Sequence, residues 1–75
     1  MEIKNVNNSI VFEKENISYI FPINSIYIIN IGNVITVRLK GNRRNIFSFN
    51  YQEVTNISAS DVEDFLNKIN SIIFK

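Results

Sequence analysis

The sequence predicts an α+β fold in which a four- to five-stranded antiparallel meander sheet packs on one C-terminal α-helix. Between residues 26 and 51, apolar residues recur at every second position and short Gly/Asn turns interrupt them, which is typical of strands joined by hairpins. Between residues 62 and 73 the apolar spacing changes to that of an amphipathic helix. With 75 residues and no internal repeat, the chain is expected to form a single domain over residues 1–75.

The strands are predicted over residues 9–13, 17–21, 26–31, 34–40 and 45–51, and the helix over residues 59–73. Residues 2–6 are expected to add a short, frayed strand. β-Branched and aromatic residues favour the first two strands, and the polar residues Lys14, Glu15 and Asn16 between them favour a tight turn. Pro22 has no backbone N–H to donate, so it is expected to end the second strand.

A two-residue loop at Gly32 and Asn33 is predicted to join the third and fourth strands, since both residues tolerate the positive φ of hairpin turns. Directly opposed residues of such a hairpin share a face of the sheet. One face then contains Ile26, Ile28, Asn30, Ile35, Val37 and Leu39, and the other contains Tyr27, Ile29, Ile31, Val34, Thr36, Arg38 and Lys40. The second face is therefore apolar near the turn and basic at its far end.

The loop at residues 41–45 decides where the three aromatic side chains of the last strand point, namely Phe47, Phe49 and Tyr51. An odd-length loop places these rings on the core face, and an even-length loop places them on the opposite face with the basic residues. We favour the odd length because the polar residues that alternate with the rings would otherwise be buried.

The helix is predicted from a continuous apolar stripe formed by Val62, Phe65, Leu66, Ile69, Ile72 and Ile73. At its start, Ser60-Asp61-Val62-Glu63 matches a capping box. Ser58 is the alternative cap, because it would allow Ile57 to contact Val62 as a hydrophobic staple. The acidic residues of the first turn complement the positive end of the helix dipole.

The composition argues against catalysis. The chain has no cysteine and no histidine, which removes thiolate metal sites, the commonest metal ligand and the usual proton carrier at neutral pH. The seven acidic residues lie at predicted turns, on solvent-exposed faces or in the first helical turn, where capping and solvation explain them. Neither glycine belongs to a phosphate-binding motif. We predict no catalytic residue, metal site, cofactor or small-molecule substrate.

The first residues lack the basic segment and apolar run of a signal peptide, and no stretch of about 18 apolar residues occurs. We therefore expect a soluble, cytoplasmic protein without a membrane partner.

Four basic residues lie on or beside the fourth predicted strand, namely Arg38, Lys40, Arg43 and Arg44. No acidic residue lies between residues 34 and 52, although the net charge of the chain is only +1. Such a cluster can bind a phosphate backbone, and Tyr27 is the ring best placed to stack on a base. The alternative is that these cations only maintain solubility and protect a sheet edge.

One helix covers only one face of a sheet, so the apolar part of the second face is expected to meet another chain or a ligand. Ile29, Ile31 and Val34 are the predicted interface residues of a homo-oligomer, with a dimer as the simplest form. We predict a small non-catalytic protein that binds single-stranded nucleic acid. The alternative is a protein–protein interaction or assembly module that binds no nucleic acid.

The order of elements over residues 9–74, antiparallel strands followed by one helix, resembles that of the Whirly and positive-cofactor-type single-stranded-DNA-binding proteins. The resemblance implies their fold, a DNA partner and pairing through helices and sheets, but it includes no shared motif and so assigns no site residue. Residues 22–26 and 32–37 also resemble the Pro-Ile-x-x-Ile and Gly-Asn-x-Ile-x-Val segments of LytTR-type DNA-binding domains. The chain is shorter than that domain, and its last helix is longer.

Overall fold

The computed structural model describes residues 1–41 and 44–73 of the chain. It contains two three-stranded antiparallel sheets followed by one α-helix. The N-terminal sheet consists of β1 (Glu2–Val6), β2 (Ser9–Lys14) and β3 (Ile17–Pro22), and the central sheet consists of β4 (Ile26–Ile31), β5 (Val34–Leu39) and β6 (Asn45–Phe49). The helix, α1, spans Val62–Ile73, and single 3₁₀ turns lie at Ile23–Ser25 and Tyr51–Glu53.

The α+β class is confirmed, whereas the prediction of one continuous sheet is wrong. Six strands form two separate sheets, and the frayed segment at residues 2–6 is a full strand. The break lies at Pro22, which ends β3 as predicted, and at the 3₁₀ turn Ile23–Ser25 that follows it. This turn redirects the chain, so β4 begins a new sheet rather than pairing with β3.

Two-residue loops close the hairpins of the N-terminal sheet and the first hairpin of the central sheet. Asn7 and Asn8 have φ of 50° and 62°, and Glu15 and Asn16 have φ of 52° and 68°. Gly32, at φ of 64°, opens the third loop. Positive φ matches the backbone twist of a two-residue turn to that of the flanking strands, which fixes the register of each hairpin.

The predicted register of the central sheet is confirmed for β4 and β5, where Ile28 lies opposite Val37. The favoured position of the aromatic strand is also confirmed, because Phe47 lies opposite Val37 and Phe49 opposite Ile35 on the core face. The register shifts between Val37 and Arg38 at an irregularity of the β-bulge type. Only the end of this strand differs, since β6 stops at Phe49 and Tyr51 lies in a 3₁₀ turn.

The hydrophobic core lies between the inner faces of the two sheets and α1. Its buried residues are Ile3, Ile10, Phe12, Ile26, Ile35, Val37, Phe49, Val54, Ile57, Phe65 and Ile69. Phe12 of β2 packs edge-on against Phe47 of β6, with ring centroids 4.9 Å apart. The N-terminal sheet therefore helps to cover the inner face of the central sheet, which the sequence assigned to the helix alone.

The predicted apolar stripe of the helix is confirmed for five residues, namely Val62, Phe65, Leu66, Ile69 and Ile72, while the side chain of Ile73 lies outside the described part of the structure. The predicted start of the helix is wrong. Phe65 and Ile69 are fully buried, but α1 begins at Val62. Asp61 is the cap, because its Oδ1 accepts the backbone N–H of Asp64 at 2.8 Å. A carboxylate at this position bonds the free N–H groups and also complements the helix dipole. The capping box predicted from Ser60 is thus displaced by one residue, and Ser58 is not the cap.

Asp64 completes this cap from within the first turn. Its Oδ2 accepts the backbone N–H of Ser60 at 2.9 Å and lies 3.1 Å from the Lys68 ammonium. The Ser60 N–H, followed by the Lys68 side chain, lowers the pKa of the Asp64 carboxyl from its ordinary value. Two acidic side chains at the predicted helix start, Asp61 and Asp64, are therefore engaged in hydrogen bonds and an ion pair within residues 60–68.

The outer edge of β1 is sealed by the segment that precedes the helix. The Asn56 side chain accepts the N–H of Ile3 at 3.0 Å through Oδ1 and donates to the carbonyl of Ile3 at 2.7 Å through Nδ2. The Thr55 N–H donates to the carbonyl of Met1 at 2.7 Å. Asn56 thus supplies the donor and acceptor that a neighbouring strand would otherwise supply.

Candidate binding face of the central sheet

The candidate site is the outer face of the central sheet, the side of β4, β5 and β6 that points away from the core. Alternation along β4 and β5 sends one residue inward and the next outward, so Val37 is buried while Arg38 lies on the outer face. The outer face has two parts. We call Tyr27, Arg38 and Lys40, together with Arg44 in the connection that leads into β6, the basic end, and Ile29, Ile31 and Val34 the apolar end.

Tyr27 of β4 and Arg38 of β5 form the centre of the basic end, where they lie directly opposite each other. Arg38 is half-buried, and its Nε donates a hydrogen bond to Asn45 Oδ1 of β6 at 2.6 Å. The Nη groups of Arg38 make no hydrogen bond to any residue within 1–41 or 44–73. The guanidinium is thus held from one side and retains N–H donors for an anion.

Lys40 and Arg44 are exposed at the ends of the connection between β5 and β6. The backbone N–H of Lys40 donates to the carbonyl of Ser25 at 2.9 Å, which fixes the start of this connection beside β4. Arg43, the remaining basic residue of the prediction, lies outside the described residues. Three of the four predicted cations are thus positioned near one end of the sheet.

The apolar end surrounds the Gly32–Asn33 turn. Ile31 and Val34 face each other beside the turn and remain 51% and 38% exposed, while Ile29 is half-buried. None of the three belongs to the core cluster. Their exposure leaves a small apolar surface that no described segment of the chain covers.

A hydrogen-bonded polar pair, the buried Thr36 and the exposed Ser48, separates the two ends. Thr36 is 2% exposed, and its Oγ1 lies 3.1 Å from Oγ of Ser48 on β6. Every buried polar side chain within the described part of the molecule has a hydrogen-bond partner. The polar side chains in the middle of the face therefore bond to each other, and the basic end and the apolar end lie on either side of them.

The charges of the two sheets are arranged differently. The described ion pairs join Lys4 to Glu13, Lys14 to Glu53, and Lys68 to Asp64, at distances of 3.6, 3.8 and 3.1 Å. None of these pairs includes a strand of the central sheet. Among the described residues, no carboxylate lies within ion-pair distance of Arg38 or Lys40.

The aromatic rings of β6 do not reach this face. Phe47 and Phe49 point inward and stack on each other with ring centroids 6.0 Å apart, and Tyr51 packs beside Phe65 in the core. Tyr27 is therefore the ring that remains for a contact with a base. The stacking surface that an even-length loop would have produced is excluded.

Sequence reasoning missed a second exposed surface, which lies on β3. Ile17, Tyr19 and Ile20 are 53%, 37% and 62% exposed. The signal for it was Pro22, since proline within a sheet is confined to edge strands, strand ends and bulges.

The described residues contain no group of three or more acidic side chains positioned to hold a metal ion. No described helix combines the length and the apolar character needed to cross a membrane.

No protein-family model, curated protein or solved structure matches this chain. Its function is therefore inferred from its own residues.

Proposed function

We propose that this chain is a small non-catalytic binding protein that holds single-stranded nucleic acid at the basic end of the central sheet. The observation that supports this proposal is the position of Arg38 and Lys40 on the outer side, without a carboxylate partner among the described residues. Cations without a carboxylate partner attract phosphates strongly, because binding releases the counterions condensed on the nucleic acid. The element order that resembles Whirly-type proteins agrees with this proposal by analogy.

In this proposal Arg38 binds a phosphate through its Nη groups, while its bond to Asn45 holds the side chain in place. Lys40 and Arg44 bind neighbouring phosphates. Tyr27 stacks on a base, a contact worth about 1–3 kcal/mol. Base stacking and phosphate contacts carry little sequence information, so we expect the binding affinity to depend only weakly on the base sequence.

A titration of a fluorescent oligothymidylate at several salt concentrations tests the proposal. Contacts from the four predicted cations would give log Kobs a slope of roughly −3 against log salt, at about −0.7 per contact. Replacing one contacting cation by Lys40→Ala should reduce the steepness by about 0.7.

Lys4→Ala is the matched control, because it removes an exposed lysine from the N-terminal sheet, where Lys4 pairs with Glu13. The control should bind like the unaltered protein. Absence of binding at low salt contradicts the proposal, and so does an equal loss of affinity in both variants.

A protein–protein interaction or assembly module is the second candidate function. It is favoured by the exposure of Ile31 and Val34, at 51% and 38%, beside the turn of the central sheet. Sedimentation of Ile31→Lys tests it, because a charge at this position would separate a partner that buries the apolar end. A mass unchanged by this substitution, together with salt-dependent binding of the oligonucleotide, favours the first candidate.

A further inference from the structure

The free edge of β3 presents backbone groups that have no partner among residues 1–41 and 44–73. The closing pair of the two-residue hairpin, Lys14 and Ile17, is hydrogen-bonded, so bonding alternates along the ladder from that point. Tyr19 therefore bonds to β2, while the N–H and C=O groups of Ser18 and Ile20 point away from it. Within the described residues, β3 pairs with β2 alone.

The edges formed by β1 and β4 are better covered than the edge formed by β3. Asn56 and Thr55 seal β1, as described above. Four of the six residues of β4 are buried or half-buried, whereas five of the six residues of β3 are exposed. β3 also contains no charged residue, the usual protection of an edge strand.

We propose that β3 pairs antiparallel with β3 of a second copy of this chain, around a two-fold axis at Tyr19. The occupant must be an extended strand, because only a strand presents donors and acceptors at the two-residue spacing of Ser18 and Ile20. With the axis at Tyr19, Ser18 pairs with the partner's Ile20 and Ile20 with the partner's Ser18. Every outward N–H and C=O of these residues is then bonded.

Pro22 selects this register. Centring the pairing on Ile20 would place Ser18 opposite the partner's Pro22, which has no N–H to donate. Centring it on Ser18 would place Ile20 opposite the partner's Asn16, which lies in the turn at φ of 68°. β3 is thus complementary to a second β3 only in the register centred on Tyr19. In that register the donors and acceptors of one copy match those of the other, so a second copy of this chain suffices as the partner.

Side-chain positions agree with the pairing. Tyr19 would lie beside the partner's Tyr19, and each ring already stacks on Phe47 of its own chain with centroids 5.0 Å apart. Aromatic cross-strand pairs stabilise antiparallel sheets by about 0.2–1 kcal/mol. Ile20, 62% exposed in the single chain, would lie diagonally across from the partner's Ile20.

The assembly closes as a dimer. An isologous two-fold contact uses the same edge of both copies, and the sealed β1 edge offers no site for a third chain. The two N-terminal sheets then form one six-stranded sheet. An edge pairing of this length lies at the small end of interfaces, so we expect the measured mass to depend on protein concentration.

Single-cysteine variants test the register, because the chain has no cysteine of its own. In Tyr19→Cys the two introduced residues face each other as a non-hydrogen-bonded pair about 4.5 Å apart at Cα, within disulfide range. In Ser18→Cys they lie diagonally, about 7–8 Å apart, too far for a disulfide. Oxidised glutathione should cross-link Tyr19→Cys to a covalent dimer and leave Ser18→Cys monomeric. Equal cross-linking of both variants, or of neither, overturns the proposed register.

Sedimentation distinguishes a dimer that forms through the edge of β3 from one that forms through the outer face of the central sheet. Ile20→Lys should give the mass of a monomer at every concentration, while Ile31→Lys should retain the dimer. A monomeric unaltered protein up to millimolar concentration overturns the proposal, and so does a dimer lost only in Ile31→Lys. This result is independent of the oligonucleotide titration, since none of the substituted β3 residues, Ser18, Tyr19 and Ile20, belongs to the basic end.

Discussion

The two sheets have the same strand order and contribute similar apolar residues to one core, yet their outer faces differ. On the N-terminal sheet, Lys4 pairs with Glu13 at 3.6 Å across the outer face. On the central sheet, Arg38 and Lys40 have no such acidic neighbour among the described residues. The inner faces of both sheets contribute alike to the core, so the sheets differ in the charges of their outer faces.

The edges of the N-terminal sheet show a second difference. Asn56 satisfies the backbone of Ile3 on β1, whereas Ser18 and Ile20 on β3 have no such partner in the described part of the chain. Of the two edges of the N-terminal sheet, the edge of β3 is therefore the one open to pairing with another chain.

The shared interior gives the largest expected effect. Phe12→Ala should reduce the free energy of unfolding by about 3–5 kcal/mol, because the ring is fully buried and contacts aromatic residues of both sheets. Urea denaturation followed by circular dichroism measures the loss. The whole domain has only about 5–15 kcal/mol of stability, so this variant should be largely unfolded at moderate temperature.

Val6→Ala is the matched control, since Val6 lies in the same sheet and is 48% exposed. This substitution should reduce the free energy of unfolding by less than about 1 kcal/mol. A loss below about 1 kcal/mol for Phe12→Ala as well would contradict a core shared by both sheets.

The sealed edge gives an intermediate effect. Asn56→Ala should reduce the free energy of unfolding by about 1–3 kcal/mol, because it leaves the N–H and C=O of Ile3 without partners beside a buried side chain. Amide hydrogen exchange at Ile3 should accelerate. Asn70→Ala, at an exposed helical position, is the control and should be neutral or slightly stabilising. Unchanged exchange at Ile3 would show that Asn56 does not protect this edge.

The hairpin loops give the smallest effect. Glu15 adopts φ of 52°, a left-handed conformation that asparagine tolerates better, as Asn7 does at φ of 50° in the preceding loop. Glu15→Asn should therefore raise the free energy of unfolding by about 0.5–1 kcal/mol. Asn16→Glu, at φ of 68°, should lower it instead. Equal stability of the unaltered protein and both variants in urea would show that neither position of this loop is strained.

The local features of the fold could be predicted from the sequence. Gly32 and Asn33 fixed both the turn and the register of β4 and β5, because a two-residue loop leaves no freedom in pairing. The division into two sheets could not be predicted. Pro22 indicates where a strand ends, but whether the next strand joins the same sheet depends on contacts with β1 and α1 that are distant in sequence. The helix start was displaced because Ser60 and Asp61 are both good caps.

The candidate site was predictable only in part. Alternation along the strands placed Tyr27, Arg38 and Ile31 on one face, and the structure has them there. Asn56 could not be found, since nothing in its neighbourhood distinguishes it from the other asparagines of the chain. Its role depends on a strand more than fifty residues away. The open edge of β3 could not be predicted either, because it exists only since β4 pairs with β5 and not with β3.

The short hairpins have a consequence for how the chain folds. Each strand pairs only with strands adjacent to it in sequence, and three of the connections contain two residues. Hairpins of this kind form within about 1–10 μs. The bonds from Asn56 to Ile3 and from Thr55 to Met1 span most of the chain and must follow. We therefore expect refolding in which β-sheet signals appear first and protection of the β1 amides appears last.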